Sequence, residues 1–178
     1  MTCIIGLVEN GKVYMGGDSA GVAGYSITTR KDSKVFKNKD FLMGFTTSFR
    51  MGQLLQYRLT LPEVGDDIER YMCTDFIDAV RTTLNEYGYG SIESNKQNGG
   101  QFLVGYKDRL FKIDTDYHVG WSDTPFFAIG CADEIANGAM HVLHGIELLS
   151  PKKKITKALE AAAYFSAGVV APFTIMHT

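Results

Sequence analysis

Cysteine is scarce in this chain of 178 residues, and the three present, Cys3, Cys73 and Cys131, are an odd number without paired spacing. That pattern excludes a disulfide framework and fits a reduced, cytoplasmic setting. An excess of one charge is missing too. The formal net charge is −2, which argues against a general nucleic-acid binder. No apolar run approaches the length of a membrane span, so no membrane partner is expected. No charged segment leads into a long apolar stretch, so no signal peptide is expected either. What remains is ordinary for a globular domain, with 45% hydrophobic and 21% charged residues. One domain over residues 1–178 is the simplest organisation, and it is long enough to bury a real core.

The informative stretch runs from Thr2 to Lys34. Removal of Met1 is expected, because the residue behind it is small, and Thr2 then leads the chain. A threonine hydroxyl is a weak nucleophile that needs a base beside it. A chain-terminal threonine carries that base on its own backbone, as an α-amine with a pKa of roughly 8. A nearby lysine ammonium stabilises the alkoxide-like charge that develops on the hydroxyl. A carboxylate next to the lysine keeps it charged and in place. Asp18, after Gly16-Gly17, and Lys34, before Val35-Phe36, are the residue types for those roles. Each alone has a plainer reading: an early residue, a turn aspartate, an edge-strand lysine. The three together carry the signal.

Taken together, Thr2, the run Gly16-Gly17-Asp18-Ser19-Ala20 and the run Ser33-Lys34-Val35-Phe36 resemble the N-terminal-nucleophile (Ntn) hydrolases of the proteasome β-subunit type, including the bacterial HslV-type peptidases. The intervals fit without insertion. The resemblance spans nearly the whole chain and is strong over roughly its first fifty residues. It implies an α+β fold, a four-layer αββα sandwich of two antiparallel sheets. It implies a threonine-type peptidase acting on peptides or unfolded protein without a cofactor or metal. It also implies homo-oligomeric rings with interior sites, and admits an ATP-dependent unfoldase as partner.

Along the chain, residues 2–9 and 12–17 read as a hairpin around Asn10-Gly11. Gly21 to Gly24 reads as a loop, Tyr25 to Thr29 as a short strand, and Lys34–Lys37 with Phe41–Phe45 as a second hairpin. A helix is expected from Ser48 to Arg58, before Pro62, and another from Thr74 to Gly88. Residues 91–100 read as a polar loop. Strands are expected at 101–106, 110–113, 117–120 and 126–129. Asp133 is expected to cap a helix, and Ser150-Pro151 to open the last one. Lys152, Lys153 and Lys154 read as a solvated helix end. Pro172 to Met176 is expected as the final strand.

Two positions depart from the family pattern. The strand-to-helix corner that supplies an oxyanion N–H in the family is glycine-containing, whereas this chain has Thr46-Thr47-Ser48, with Thr47 in glycine's place. The family's Gly-Ser-Gly turn reads Gly130-Cys131-Ala132, so Cys131 stands for the serine that helps move the terminal proton. A thiol is the weaker donor. Of the family's Asp-x-x-Ser-Gly signature only Ser166 and Gly168 can be placed. His141 and His144 lie one helical turn apart without a third ligand. Two other readings stand beside the peptidase: a catalytically silent proteasome-like structural or binding subunit, and an amidase of the same fold for small molecules.

Overall fold

A computed structural model describes residues 1–93 and 96–178. The chain opens on β1 (Cys3–Glu9) and β2 (Lys12–Gly17). Their two-residue turn has Asn10 at φ 54° and Gly11 at φ 72°. Two left-handed residues in succession match the twist of the strands, and Asn-Gly accepts that conformation readily. The expected loop at Gly21–Gly24 is instead a strand. β3 (Ala20–Ala23) pairs with β4 (Ser26–Thr29), and the turn lies at Gly24–Tyr25. Its small residues carry little strand propensity of their own, so pairing decides the matter. β5 (Val35–Asn38) and β6 (Phe41–Phe45) form the second hairpin as expected.

α1 (Phe49–Tyr57) begins behind Ser48, whose side chain accepts from the Arg50 N–H. The next helix starts before Thr74. Asp67 accepts from the Arg70 N–H and opens α2 (Ile68–Tyr71), which passes through a π-helical turn (Met72–Phe76) into α3 (Ile77–Glu86). Thr74 sits inside that turn, with its hydroxyl donating to the Arg70 carbonyl at 2.7 Å. The segment read as a polar loop holds two short paired strands, β7 (Ser91–Glu93) and β8 (Lys96–Asn98). A two-stranded ribbon outside the main sheets needs no apolar alternation, so periodicity does not reveal it.

The chain continues through β9 (Phe102–Tyr106), β10 (Arg109–Ile113), β11 (Val119–Gly120) and β12 (Phe126–Gly130). It ends with α4 (Asp133–Leu143), α5 (Pro151–Phe165) and β13 (Thr174–His177). Asp133 is the first residue of α4, not its cap; Ala132 holds the cap position without a side-chain bond. Ser150 caps α5 as expected.

Two antiparallel sheets result, ordered β12-β1-β2-β13 and β11-β10-β9-β6-β5. Strand alternation divides their side chains. Cys3, Ile5 and Leu7 face α4 and α5, where they meet Ala136, Met140 and Leu159. Ile4, Val13 and Met15 face the other sheet and meet Val35, Leu42 and Leu103. The far side of the second sheet buries Met43, Phe45 and Phe111 against Leu54, Phe76 and Val80 of the α1–α3 layer. The architecture is therefore the four-layer αββα sandwich.

Lys154 corrects another expectation. It shares the inner face of α5 with Ile155 and Ala158 and is only 3% exposed, while Lys152 and Lys153 remain at the surface. Its ammonium lies 2.8 Å from Glu9 Oε2 and 2.9 Å from the His144 carbonyl. Those two partners compensate a charge that burial would otherwise penalise strongly.

Candidate active site

The register Ile4↔Gly17 places Asp18, just past the end of β2, beside Cys3 and one residue from Thr2. The Asp18 carboxylate takes up that position firmly. Oδ1 accepts from the Cys3 N–H at 2.9 Å, and Oδ2 accepts from the Ala20 N–H at 2.7 Å and the Val170 N–H at 3.5 Å. Lys34, just before β5, belongs to the other sheet and crosses to it. Its Nζ donates to both carboxylate oxygens at 3.0 Å. The Asp18 and Lys34 side chains are 0% and 1% exposed, so the ion pair is dry and joins the ends of both sheets.

Burial pushes the Lys34 ammonium below the ordinary lysine pKa, and the Asp18 charge beside it pulls the other way. The Cys3 thiol, sealed under the helices, is pushed up to about 12, first by burial and then by the Asp18 charge. It is a packing residue and no nucleophile.

Thr2 is buried at this junction. Its hydroxyl donates to the Met1 carbonyl at 2.6 Å, and its own carbonyl accepts from the Cys131 N–H at 2.9 Å. Gly130 makes the second contact possible. It has φ 109°, and a side chain there would run into the Thr2 carbonyl oxygen. Met1 lies across the site. A Cβ on Gly168 would stand 2.5 Å from Met1 Cβ and 2.7 Å from Cys131 Sγ, so these three residues are in close contact.

The corner at Thr46-Thr47-Ser48 comes close to Gly130, where an added Cβ would stand 3.3 Å from Thr46 Cγ2. The Thr46 N–H and hydroxyl both donate to the Gln101 carbonyl, at 3.0 and 3.1 Å, and the Gln101 N–H donates to Thr47 Oγ1 at 3.2 Å. The Ser48 N–H turns back to the Thr46 carbonyl at 2.7 Å. Thr47 is forced to φ 64°, an outlier for a β-branched residue. Its N–H donates to no protein acceptor among the described residues. Strain of this kind is retained where surrounding contacts over-determine it, and it clusters at functional sites.

Of the five residues singled out from sequence, Asp18 and Lys34 meet directly, the Cys131 N–H bonds to the Thr2 carbonyl, and Thr47 sits at the β6–α1 corner with its Oγ1 bonded by the Gln101 N–H. Two further contributors lie outside those five. Ser166 Oγ lies 3.8 Å from the exposed Cys131 thiol and accepts from the Gly168 N–H at 3.3 Å. Ser19 donates from Oγ to the Pro172 carbonyl at 2.5 Å and from its N–H to the Val170 carbonyl at 2.9 Å. The spacing of Ser166 and Gly168 is the sequence signal for the first; for Ser19 it is its place after Asp18 in the run Gly16-Gly17-Asp18-Ser19-Ala20. His144 Nδ1 lies 3.1 Å from the Met140 carbonyl, and the described residues contain no cluster of three metal-ligating side chains.

No protein-family model and no curated protein matches the chain. Solved structures do. BPH from Thiobacillus denitrificans, in complex with epoxomicin, superposes with a TM-score of 0.82 over 99% of this chain and 97% of that one, at 19% identity. The fold is that of the proteasome-type Ntn hydrolases. Eukaryotic HslV from Trypanosoma brucei matches at TM-score 0.71 and 16% identity, covering 98% of both chains. The Anbu Gly-1 mutant from Hyphomicrobium sp. strain MC1 matches at TM-score 0.71 and 15% identity, over 98% of this chain and 80% of that one. At such identities the likeness is one of fold, and any activity has to be argued from the site itself. No described helix is long and apolar enough to cross a membrane.

Proposed function

We propose that the chain is a threonine-type amide hydrolase, a proteasome-like peptidase that acts through Thr2 once Met1 is removed. The observation that carries this reading is the dry Lys34–Asp18 pair, tied to the main chain one residue from Thr2. A structural role alone does not call for a buried ion pair here, because burying an ion pair is weak evidence of added stability.

In this reading the freed Thr2 amine takes the hydroxyl proton as Oγ bonds to the substrate carbonyl carbon. The Lys34 charge steadies the developing alkoxide, and the unpaired Thr47 N–H donates to the oxyanion. Collapse of the tetrahedral intermediate breaks the C–N bond, and the leaving amine takes the proton from the Thr2 ammonium. Water, deprotonated by the Thr2 amine, then adds to the ester carbonyl carbon; the C–Oγ bond breaks, and Oγ takes the proton back from the Thr2 ammonium, which restores both groups. In this reading Cys131 and Ser166, in contact at 3.8 Å, relay the amine's proton, with the thiol as the weaker donor. No step calls for a cofactor. Rings of identical subunits in the cytoplasm, with sites facing an enclosed chamber, suit a peptide or unfolded-protein substrate.

Intact mass with and without a peptide epoxyketone tests the reading, since that reagent closes its adduct through a terminal hydroxyl and the adjacent free amine. The expected result is a chain lacking Met1 that gains the inhibitor mass, and a Thr2→Ala variant that does not. A purified chain that still carries Met1 and takes no adduct would overturn it. That outcome would favour a silent subunit.

A further inference from the structure

At the opposite end of the sandwich, three hairpin turns meet. Thr2 precedes the first residue of β1, whereas Asn10-Gly11 follows its last. Seven strand residues separate the two ends by about 23 Å at a rise of roughly 3.3 Å each. Residues of the β1–β2, β5–β6 and β9–β10 turns there line an open cavity of about 410 Å³. Its charged side chains are Lys12, Lys37, Lys39 and Lys107 against the single side-chain carboxylate of Asp40. Four lysines against Asp40 and the Thr178 main-chain carboxylate leave a local charge of +2, in a chain whose net charge is −2. The concentration is thus local and does not follow from overall composition.

All four lysines are exposed, and among the described residues none has its ammonium within 4.0 Å of a carboxylate. Surface lysines usually stand near acidic neighbours or spread apart, because clustered like charges repel. Here the backbone holds them together. Lys39 and Lys107 occupy left-handed turn positions at φ 50° and 51°, and the Thr178 hydroxyl pins the second turn by donating to the Lys107 carbonyl at 2.7 Å. The Lys39 ammonium has a main-chain acceptor, the Leu61 carbonyl at 3.2 Å, which orients it without neutralising it. Tyr106 supplies an aromatic wall, with Lys107 Nζ 5.2 Å from its ring centre.

We propose that this cavity binds a small, multiply charged phosphate ligand, a di- or triphosphate group. Lysines bind phosphate as point charges, and several lining one site concentrate the potential beyond what each supplies alone. The volume falls within the usual range for small ligands. A free oligophosphate and a nucleoside triphosphate share this chemistry. They differ in whether a base is present to lie against Tyr106.

Calorimetric titration of the full chain with inorganic triphosphate, and separately with ATP without magnesium, tests the proposal. Saturable binding at one site per chain is expected, weakening about tenfold or more between low and high salt as the charges are screened. Tighter binding of ATP would assign the nucleotide; equal binding would assign the phosphate group alone. Lys37→Glu/Lys107→Glu is expected to lower affinity at least about a hundredfold, and Lys37→Gln/Lys107→Gln by less, in proportion to charge removed. Lys152→Glu, on the exposed start of α5, leaves binding unchanged. No saturable binding of either ligand, or equal affinity in the doubly reversed variant, overturns the proposal. So does tighter binding of a hexaglutamate peptide than of triphosphate, which would make the site an acidic-peptide surface.

Discussion

Replacing Lys34 by methionine removes one charge from a dry pair while nearly keeping its shape. The Asp18 carboxylate is then left 0% exposed without its cation. Three main-chain donors remain, from Cys3 at 2.9 Å, Ala20 at 2.7 Å and Val170 at 3.5 Å. Breaking a buried ion pair from one side costs about 3–5 kcal/mol. The surviving N–H groups still solvate the carboxylate, so the lower end, about 3 kcal/mol, is the expected loss. A domain of this size shifts by roughly 2–4 °C per kcal/mol, which gives a fall in melting temperature of about 6–12 °C. With typical stabilities of about 5–15 kcal/mol the variant stays folded.

Urea titrations of the wild type, Asp18→Asn, Lys34→Met and the double variant make a thermodynamic cycle. Trp121, the one tryptophan, packs edge-on to Phe111 at 6.2 Å and reports unfolding of the second sheet. The double variant is expected to be more stable than the sum of the single losses predicts, by about 1–3 kcal/mol. It does not return to wild type, because Asp18→Asn turns an amide donor toward one N–H that the carboxylate satisfied. Losses that simply add, or a Lys34→Met variant within about 0.5 kcal/mol of wild type, would refute the claim that this pair is dry and coupled. Turnover is read per folded molecule at a temperature where both proteins are native. A Lys34→Met variant with wild-type turnover would leave the pair a structural role only.

The strain at Thr47 predicts an inverted ranking. At φ 64° Thr47→Gly should be more stable than Thr47→Ala by about 1 kcal/mol, against the usual order, and thermal melts decide it. Both variants should keep turnover if the main-chain N–H is the donor. Gly130→Ala drives a side chain into the Thr2 carbonyl oxygen at φ 109°, so it should destabilise by about 1–3 kcal/mol and lose epoxyketone labelling even where it folds. Cys3 predicts a pH dependence. Its thiol rises from 9.0 to about 12 on folding. The folded chain therefore holds the proton longer, and its contribution is intact below pH 9 and lost as the pH climbs toward 12. Urea titrations at about pH 8 and pH 10 should show the wild type losing about 1.4 kcal/mol more than Cys3→Ala. Equal losses would mean that the thiol is not sealed under α4 and α5.

What can be read in advance is whatever local chemistry decides. Asn10-Gly11 sets its own turn, Ser150-Pro151 its own helix start, and strict alternation through β1 sorts its residues between two interfaces. Features that sequence conceals depend on what packs later. Nothing local separates Lys154 from Lys152 and Lys153 except a place on the inner face of α5, and its partners come from Glu9 and His144, distant in sequence. Asp67 escapes notice because the helix behind it changes period through the π-helical turn, which blurs the apolar spacing. Ser166 gains its meaning from Cys131, which lies across two helices in the chain.

The trio Thr2, Asp18 and Lys34 escapes that limit for a physical reason. Each stands at a strand end, and strand ends are fixed by turns and register that a sequence displays. Once β1 and β2 pair around Asn10-Gly11, Asp18 must fall beside Cys3; once β5 pairs with β6, the Phe45 N–H bonds to the Lys34 carbonyl at 3.0 Å and sets Lys34 at the same end. The pattern does not reveal how much of the fold runs through one carboxylate. Asp18 holds residues 3, 20 and 170 by their main chain and Lys34 by its charge, so it joins both sheets to the segment between α5 and β13. A group with that many structural bonds leaves little freedom to adjust its geometry for chemistry alone. The side chains that remain adjustable here are the exposed Cys131 and the half-buried Ser166, joined by a single 3.8 Å contact. Cys131→Ser should therefore change turnover and its pH profile while moving the unfolding free energy by less than about 0.5 kcal/mol, unlike Lys34→Met, which costs stability as well. A shift in stability without a shift in the profile would place Cys131 with the packing residues.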